Sequence, residues 1–356
     1  MTVWLLSMVL FHDWQIEETG IFEPLTRREV LLTPTGEIYI LNFAEALIRR
    51  FAADGTLQNN IGRKGEGPGE FRYPVAMFFN KGQLYVHDVG NDAISVFTAE
   101  GSFIKRLRLP GSKTVPVKTL NGWVTGAWRA EFSPEATSEV VISDEAFSVQ
   151  KALFKVRGRG QIGKFAVSGG LTEYTPVYPT PKMAVSPDGT TVAVSDAEIF
   201  KIHIIDVPSR SVVNIIEKTW LPVPFDGDWA DIRLLEVKAM RPNQQYKVNY
   251  PEYFPAIRSL SFSPEGWLEI DRWVGAPHLN HHPIYLDREG REIKRKLTWA
   301  QVNRLVGYWE NWAYILGYDS RRDEATVLRC PKDGLREFMQ ENPIEILEKT
   351  HRVINR

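Results

Sequence analysis

Ile61–Asp88 reads IGRKGEGPGEFRYPVAMFFNKGQLYVHD, and this stretch decides the fold. A Gly/Pro-rich loop runs into an apolar segment, a Lys-Gly turn follows, and a second apolar segment ends in an aspartate. Short apolar runs bounded by glycine turns are the signature of strands joined in hairpins. Working outward, the same order returns along most of the chain. Turns of a first kind stand at Thr33–Glu37 (TPTGE), Asn80–Gln83 (NKGQ), Asn121–Gly122, Ser186–Thr190 (SPDGT) and Ser263–Trp267 (SPEGW). Asn-Gly, Asp-Gly and Pro-x-Gly sequences supply the positive φ and preset kink that hairpins require. The segments after them (EIYILN, QLYVHD, WVTGAW, TVAVSD, WLEIDRW) are rich in β-branched and aromatic residues. Turns of a second kind stand at Ala53–Thr56, Ala99–Ser102, Val207–Arg210, Arg288–Arg291 and Pro331–Gly334.

These turns group the chain into six units, near residues 28–62, 73–109, 114–157, 178–218, 255–298 and 303–330. Repeats of roughly 40–50 residues with four short strands each predict a propeller. The expected fold is all-β, a single six-bladed β-propeller of four-stranded blades over residues 1–334, with a short C-terminal helix over 335–356. The last unit lacks an outer strand. The N-terminal apolar run Val3–Phe11 is expected to supply it, so that an N-terminal strand closes the last blade. Residues 219–254 form an insertion between blades four and five, too long for an ordinary connection, with helical periodicity over Asp231–Met240.

Composition narrows the function classes. At 356 residues the chain exceeds the usual single compact domain unless it is a barrel or a repeat array. Its net charge of -1 gives no bulk attraction to nucleic acid or anionic membrane, so no nucleic-acid partner is expected. The one cysteine, Cys330, excludes an internal disulfide and a four-cysteine zinc site. Val3–Phe11 is too short to span a bilayer, and no other segment is a transmembrane candidate. No Lys or Arg precedes that run and no small-x-small site follows it, which favours a strand over an export signal.

The stretch GEGPGEFRYPVAMFF, followed by GQLYVHDVGNDAISVFTAEGSFIKRL, resembles the NHL-type six-bladed propellers. Those carry a Gly/Pro loop, a strand, a glycine turn, a hydrophobic-Tyr/Trp-Val-x-Asp segment and an I-x-V-F strand. The likeness is close over residues 61–107 and weaker elsewhere. The chain is most similar to the bacterial six-bladed beta-propeller family with a G-x-GPGEF signature, whose later pattern YPEYFPAIRSLSFSPEGWLEIDRW resembles. The resemblance implies a propeller fold and a periplasmic or extracellular location. No lipobox cysteine stands near the N-terminus, so a lipid anchor is not implied, and no chemistry follows from the fold.

In propellers the loops joining second to third strands share one face, at the channel mouth, with the crossovers to the next blade. That pattern gathers Asn42, Asp92, Glu198, Tyr318, Arg321, Arg322 and the loop Arg63–Arg72 on one face. It also places there the candidate ligand-binding residues Asp88, Asn91, Asp196, Asp271, Arg272 and Asp319, with His278, His281 and His282. The recurring aspartate (Asp88, Asp196, Asp271, Asp319) has two readings. One is a ring of carboxylates around a cation or sugar; the other is a staple that accepts loop amides, which repetition favours. The H-x-x-H-H loop, GAPHLNHHP, is a candidate divalent-metal site with Asp271 as a further ligand, but it is not HExxH, and loop histidines commonly cap backbone groups. The glycine loop matches neither a phosphate-binding nor a dinucleotide fingerprint and reads as a stiffened crossover. The serines of SPDG and SPEG sit in turns and read as poor nucleophiles. Trp123, Trp128 and the cluster Trp309–Tyr318 read as packing between blades, with a sugar-stacking platform as the alternative. The leading reading is a non-enzymatic module that recognises a protein or glycan partner through mouth loops, needs no cofactor, and has the insertion 219–254 as its partner-facing element. The alternatives are a metal-dependent lactonase, hydrolase or lyase, and a structural subunit of a larger assembly.

Overall fold

The computed structural model describes residues 14–18, 30–110, 114–127, 137–157, 164–168, 171–175, 181–196, 199–225, 245–248, 250–263, 265–272, 284–293, 305–319 and 324–332. Among these there is no helix. The strand β1 (Trp14–Glu18) is followed by a meander of β2 (Val30–Leu32), β3 (Ile38–Asn42), β4 (Leu47–Phe51) and β5 (Leu57–Ile61). The second meander is β6 (Pro74–Asn80), β7 (Gln83–Asp88), β8 (Ala93–Thr98) and β9 (Phe103–Arg108). The third is β10 (Thr114–Thr119), β11 (Gly122–Ala127), β12 (Thr137–Ser143) and β13 (Gln150–Arg157). After a hairpin of β14 (Lys164–Ser168) and β15 (Leu171–Thr175) comes the fourth: β16 (Met183–Val185), β17 (Thr191–Ser195), β18 (Lys201–Asp206) and β19 (Ser211–Glu217). The short β20 (Tyr246–Val248) precedes a fifth meander of β21 (Ser259–Phe262), β22 (Leu268–Asp271) and β23 (Ile284–Leu286). The last comprises β24 (Leu305–Trp309), β25 (Trp312–Asp319) and β26 (Glu324–Pro331), with β1 added on its outer edge.

The fold is an all-β propeller of four-stranded antiparallel blades. Five sheets have all four strands. The fifth meander has three, and a bridge from Leu286 to Glu292 with Ile293 N donating to Tyr285 O at 2.8 Å continues its outer edge. Among the described residues, six of the seven sheets correspond to the six units marked out by the turns, and the β14-β15-β20 sheet lies outside them. As expected, an N-terminal strand closes the last blade: β1 pairs with β26 from Trp14↔Arg329 to Glu18↔Ala325, while the run Val3–Phe11, expected to supply that strand, lies outside the described residues. An outer blade strand needs no continuous apolar run, because outer strands are half exposed. β5 reads LQNNI and β9 reads FIKRLR, whereas β3 and β17 are buried at every position. The expected helices at 231–240 and 335–356 also lie outside the described residues.

The chain forms two compact units, residues 1–109 with 296–356, and residues 110–295. In the first, Tyr39, Leu41, Ile48, Phe71, Met77, Val86 and Phe97 pack between the first two meanders. Tyr314, Val327, Trp309 and Trp312 pack against Val30, Ile38 and Phe51 between the last meander and the first. In the second unit, one cluster joins the third and fourth meanders and another joins the fourth and fifth. Within each unit a polar latch repeats at the turn end. Arg329 Nη1 donates to Ala53 O at 2.9 Å and Asn59 Nδ2 to Glu100 O at 3.0 Å. Lys151 Nζ donates to Arg210 O at 2.8 Å and Asn214 Nδ2 to Arg288 O at 3.1 Å. Each donor lies on one blade and each acceptor in the second-kind turn of the next, so neighbouring blades are coupled by polar contacts as well as by core, as a repeat array requires.

Candidate functional site

At the loop end of the first unit, the GRKGEGPGEF segment folds back on itself. Phe71 N donates to Arg63 O and Gly65 N to Phe71 O, each at 2.8 Å. Phe71 is fully buried and meets Phe97 edge-on at 5.6 Å between centroids. Gly62, at φ +79°, lies under that ring, where a β-carbon would collide with it. The Glu70 carboxylate closes the loop from inside, accepting Gly67 N and Arg63 Nε, each at 2.8 Å. The amide of Gly67, then Arg63, hold its pKa below the usual carboxylate value. From β9, Arg106 donates to the carbonyls of Glu66 (2.8 Å), Gly67 (2.6 Å) and Glu70 (3.2 Å). Signature glycines, glutamate and phenylalanine are thus the internal parts of a rigid crossover, as the sequence indicates.

Asp88, at the end of β7, is 1% exposed. One carboxylate oxygen accepts Tyr73 N at 2.8 Å, Gly90 N at 3.0 Å and Asn91 N at 3.3 Å. The other accepts Arg72 N at 2.8 Å and Asn91 Nδ2 at 2.7 Å. Asn91 Nδ2 also reaches Gly65 O at 3.3 Å. Asp88 and Asn91 therefore tie the β7–β8 loop to the glycine loop, and the carboxylate is engaged on five donors. At the matching position of the first meander, Asn42 accepts Glu45 N at 2.9 Å.

This staple holds a small exposed surface. Tyr73 is 51% exposed and stacks on half-buried Phe43 at 6.2 Å and 26°. Val89, 46% exposed, lies beside it, its N–H donating to Tyr73 O at 3.0 Å. Gly90 leaves room for both neighbours, since a β-carbon there would strike the Tyr73 ring and the Arg72 stem. Arg72 Nη1 pairs with Glu66 Oε1 at 3.1 Å on the rim. Sequence reading passed over Phe43 and Tyr73. Their only signal is position, directly after the strand-ending Asn42 and directly after the signature loop.

In the second unit the loop end is built differently. The crossovers leaving β13 and β19 meet in a small sheet, β14-β15-β20, where β15 and β20 pair in parallel through Thr172↔Tyr246, Glu173↔Lys247 and Tyr174↔Val248. The insertion 219–254 is closed by its own stem. Pro224 bridges Tyr253, Phe225 N donates to Glu252 O at 3.0 Å and Phe254 N to Val223 O at 2.9 Å. Phe254 is buried against Val223 and Phe225. Nearby residues of the candidate set are nearly buried. Asp196 is 9% exposed, and Asp271 is 5% exposed with Oδ2 at 3.7 Å from Arg258 Nη1. Arg272 lies 4.5 Å over the Trp220 ring, and desolvation lowers its pKa.

His278, His281 and His282 lie outside the described residues, and of Asp319 only the backbone, at the end of β25, is described. Among the described residues, no group of three or more His, Cys, Asp or Glu is placed to hold a metal ion. Tyr314 is buried and, with half-buried Trp309 and Trp312, packs between the last meander and the first, whereas fully buried Trp123 meets residues of its own blade. Trp123 stacks on Phe147 at 5.5 Å, and buried Lys118 donates to Thr119 O, Gly122 O and Glu145 Oε1 beside it. The turn hydroxyls are staples: Thr33, Ser186 and Ser263 accept the amides of Glu37, Thr191 and Trp267.

Residues 27–163 match the sequence model of a family described as 6-bladed beta-propeller. No curated protein sequence matches the chain. Among solved structures it is similar to a Bacteroides fragilis protein, at 14% identity and a TM-score of 0.45, covering 90% of this chain and 95% of that one. It is similar to virginiamycin B lyase from Staphylococcus aureus, at 9% identity and a TM-score of 0.42, covering 88% and 98%. It is also similar to regucalcin, a calcium-binding protein from Agrobacterium tumefaciens, at 11% identity and a TM-score of 0.41, covering 85% and 88%. At such identities the activities of these proteins say nothing about this one. Among the described residues no helix is long and apolar enough to cross a membrane.

Proposed function

We propose that this protein is a non-enzymatic recognition module that binds a protein or glycan partner through the loop end of its blades. The observation that carries this reading is the contrast at Asp88. The carboxylate is taken up by five donors of the loop scaffold, while the scaffold it stiffens presents Tyr73, stacked on half-buried Phe43, and Val89 outward. A rigid support under exposed aromatic side chains lowers the ordering cost of binding. A buried carboxylate saturated by amides is poorly placed to activate water. The test is to probe wild-type protein against arrayed soluble glycans and peptides beside the double variant Tyr73→Ala/Val89→Ser. Binding that disappears in the variant supports the reading. Binding that survives unchanged removes this surface from it.

A further inference from the structure

Among the described residues, the exposed apolar surface at Tyr73 is small and its border is charged. It consists of one outward aromatic ring, a half-buried ring stacked against it and one valine. The border is Arg72, 53% exposed at its side chain, paired with Glu66, 71% exposed. A protein partner asks for a wider patch whose centre is depleted of charge, on the order of 800 Å² per side. A pyranose ring asks for less. Its axial C–H groups form one apolar face that covers a single aromatic ring, and its equatorial hydroxyls point outward at the edge. An arginine and a carboxylate beside the ring supply a planar donor fork and an acceptor for such hydroxyls. The backbone on both sides of Tyr73 is pinned, by Asp88 at its N–H and by Val89 at its carbonyl, so the ring is offered in a fixed place.

We infer that the Tyr73 ledge is a saccharide subsite. It takes a hexopyranose ring on the exposed Tyr73 face, with Arg72 and Glu66 bonding its edge hydroxyls and Val89 closing one side. This rests on the recognition reading above and names its ligand class. Gly90 is a positioning residue, because any side chain there displaces both Tyr73 and Arg72.

The experiment is saturation-transfer NMR and titration of the full chain with cellohexaose, xylohexaose and mannohexaose, and with a decaproline peptide as the competing aromatic-ledge ligand. The expected result is binding of at least one oligosaccharide with saturation strongest at its axial ring protons. Tyr73→Ala should weaken that binding about tenfold or more, and Tyr73→Phe should retain it. Gly90→Ala should weaken it, and adding Tyr73→Ala to that variant should weaken it little further, because both changes act through the Tyr73 ring. Tyr73-dependent binding of decaproline with no oligosaccharide bound would overturn the saccharide assignment and leave the recognition surface standing. Oligosaccharide binding indifferent to Tyr73→Ala would overturn the site, and no binding of any probe by wild-type protein would overturn the inference.

Discussion

The two compact units solve the same problem, how to carry the chain from an outer strand to the next inner strand, in opposite ways. In the first, the crossover between β5 and β6 closes on itself within twelve residues, 62–73. Its glycines, Arg63, Glu70 and Phe71 close it from within, and Asp88 and Arg106 lock it from neighbouring strands. In the second, the crossovers after β13 and β19 are held by each other, through the parallel pairing of β15 with β20, and by the stem at Pro224 and Tyr253. A loop closed by local contacts leaves a motif in sequence, because each residue has a neighbour a few positions away. A loop closed by pairing across more than seventy residues leaves none.

Five substitutions would break or sharpen this contrast. The largest effect is expected for Phe71→Ala, which empties a fully buried site shared by two blades and should cost roughly 3–5 kcal/mol, seen as a fall in the denaturant midpoint. Asp88→Ala strands the amides of Arg72, Tyr73 and Gly90, and about 3 kcal/mol should be lost. Phe254→Ala strikes the aromatic of the second unit's stem, which among the described residues packs on Val223 and Phe225 and belongs to a connection closed by its own pairing outside the blades. Global stability should fall by less than half the Phe71 effect, while limited proteolysis at the insertion accelerates. Equal costs for the two phenylalanines would refute the distinction between a locally closed loop in the core and a self-stemmed one outside it.

The fourth concerns His203, stacked on Phe154 at 4.0 Å between the third and fourth meanders. Burial, then Lys201, depresses its pKa below the ordinary histidine value. The folded state therefore keeps it neutral while the unfolded chain takes up a proton, so stability is full above about pH 7 and declines as pH falls through about 6.5. His203→Gln should flatten that decline in melting temperature between about pH 7 and 5. The smallest effect is expected for Arg63→Ala. Its pair with Glu70 is exposed, at 81% on the arginine side, so its loss should leave the denaturant midpoint nearly unchanged. A clear fall would mean that the ion pair, and not the Gly67 amide, closes the signature loop.

The blade order was legible because turns are local. The glycines at 36, 55, 82, 101, 189, 266 and 290 all adopt positive φ, and each stands in a turn whose residues announce it. The staple role of Asp88 was legible from its recurrence at strand ends. That an N-terminal strand closes the last blade was legible, but that Trp14–Glu18 pairs with β26 was not, because an outer strand is chosen by its partner and needs no continuous apolar run. The aromatic ledge was not legible at all. Phe43 and Tyr73 are thirty residues apart, and nothing in either segment says that the two rings stack or that one faces outward.

What the amino-acid order alone determined is therefore the repeating unit: strand, turn, strand, loop, and the self-contained signature crossover, since these depend on φ preferences and contacts within a few residues. What only the tertiary structure decided is which strand completes the last blade, how β15 and β20 join two distant crossovers, and which aromatics are exposed. Each of those depends on packing between segments far apart in the chain, where many sequences satisfy the same pairing and no local residue pattern records it.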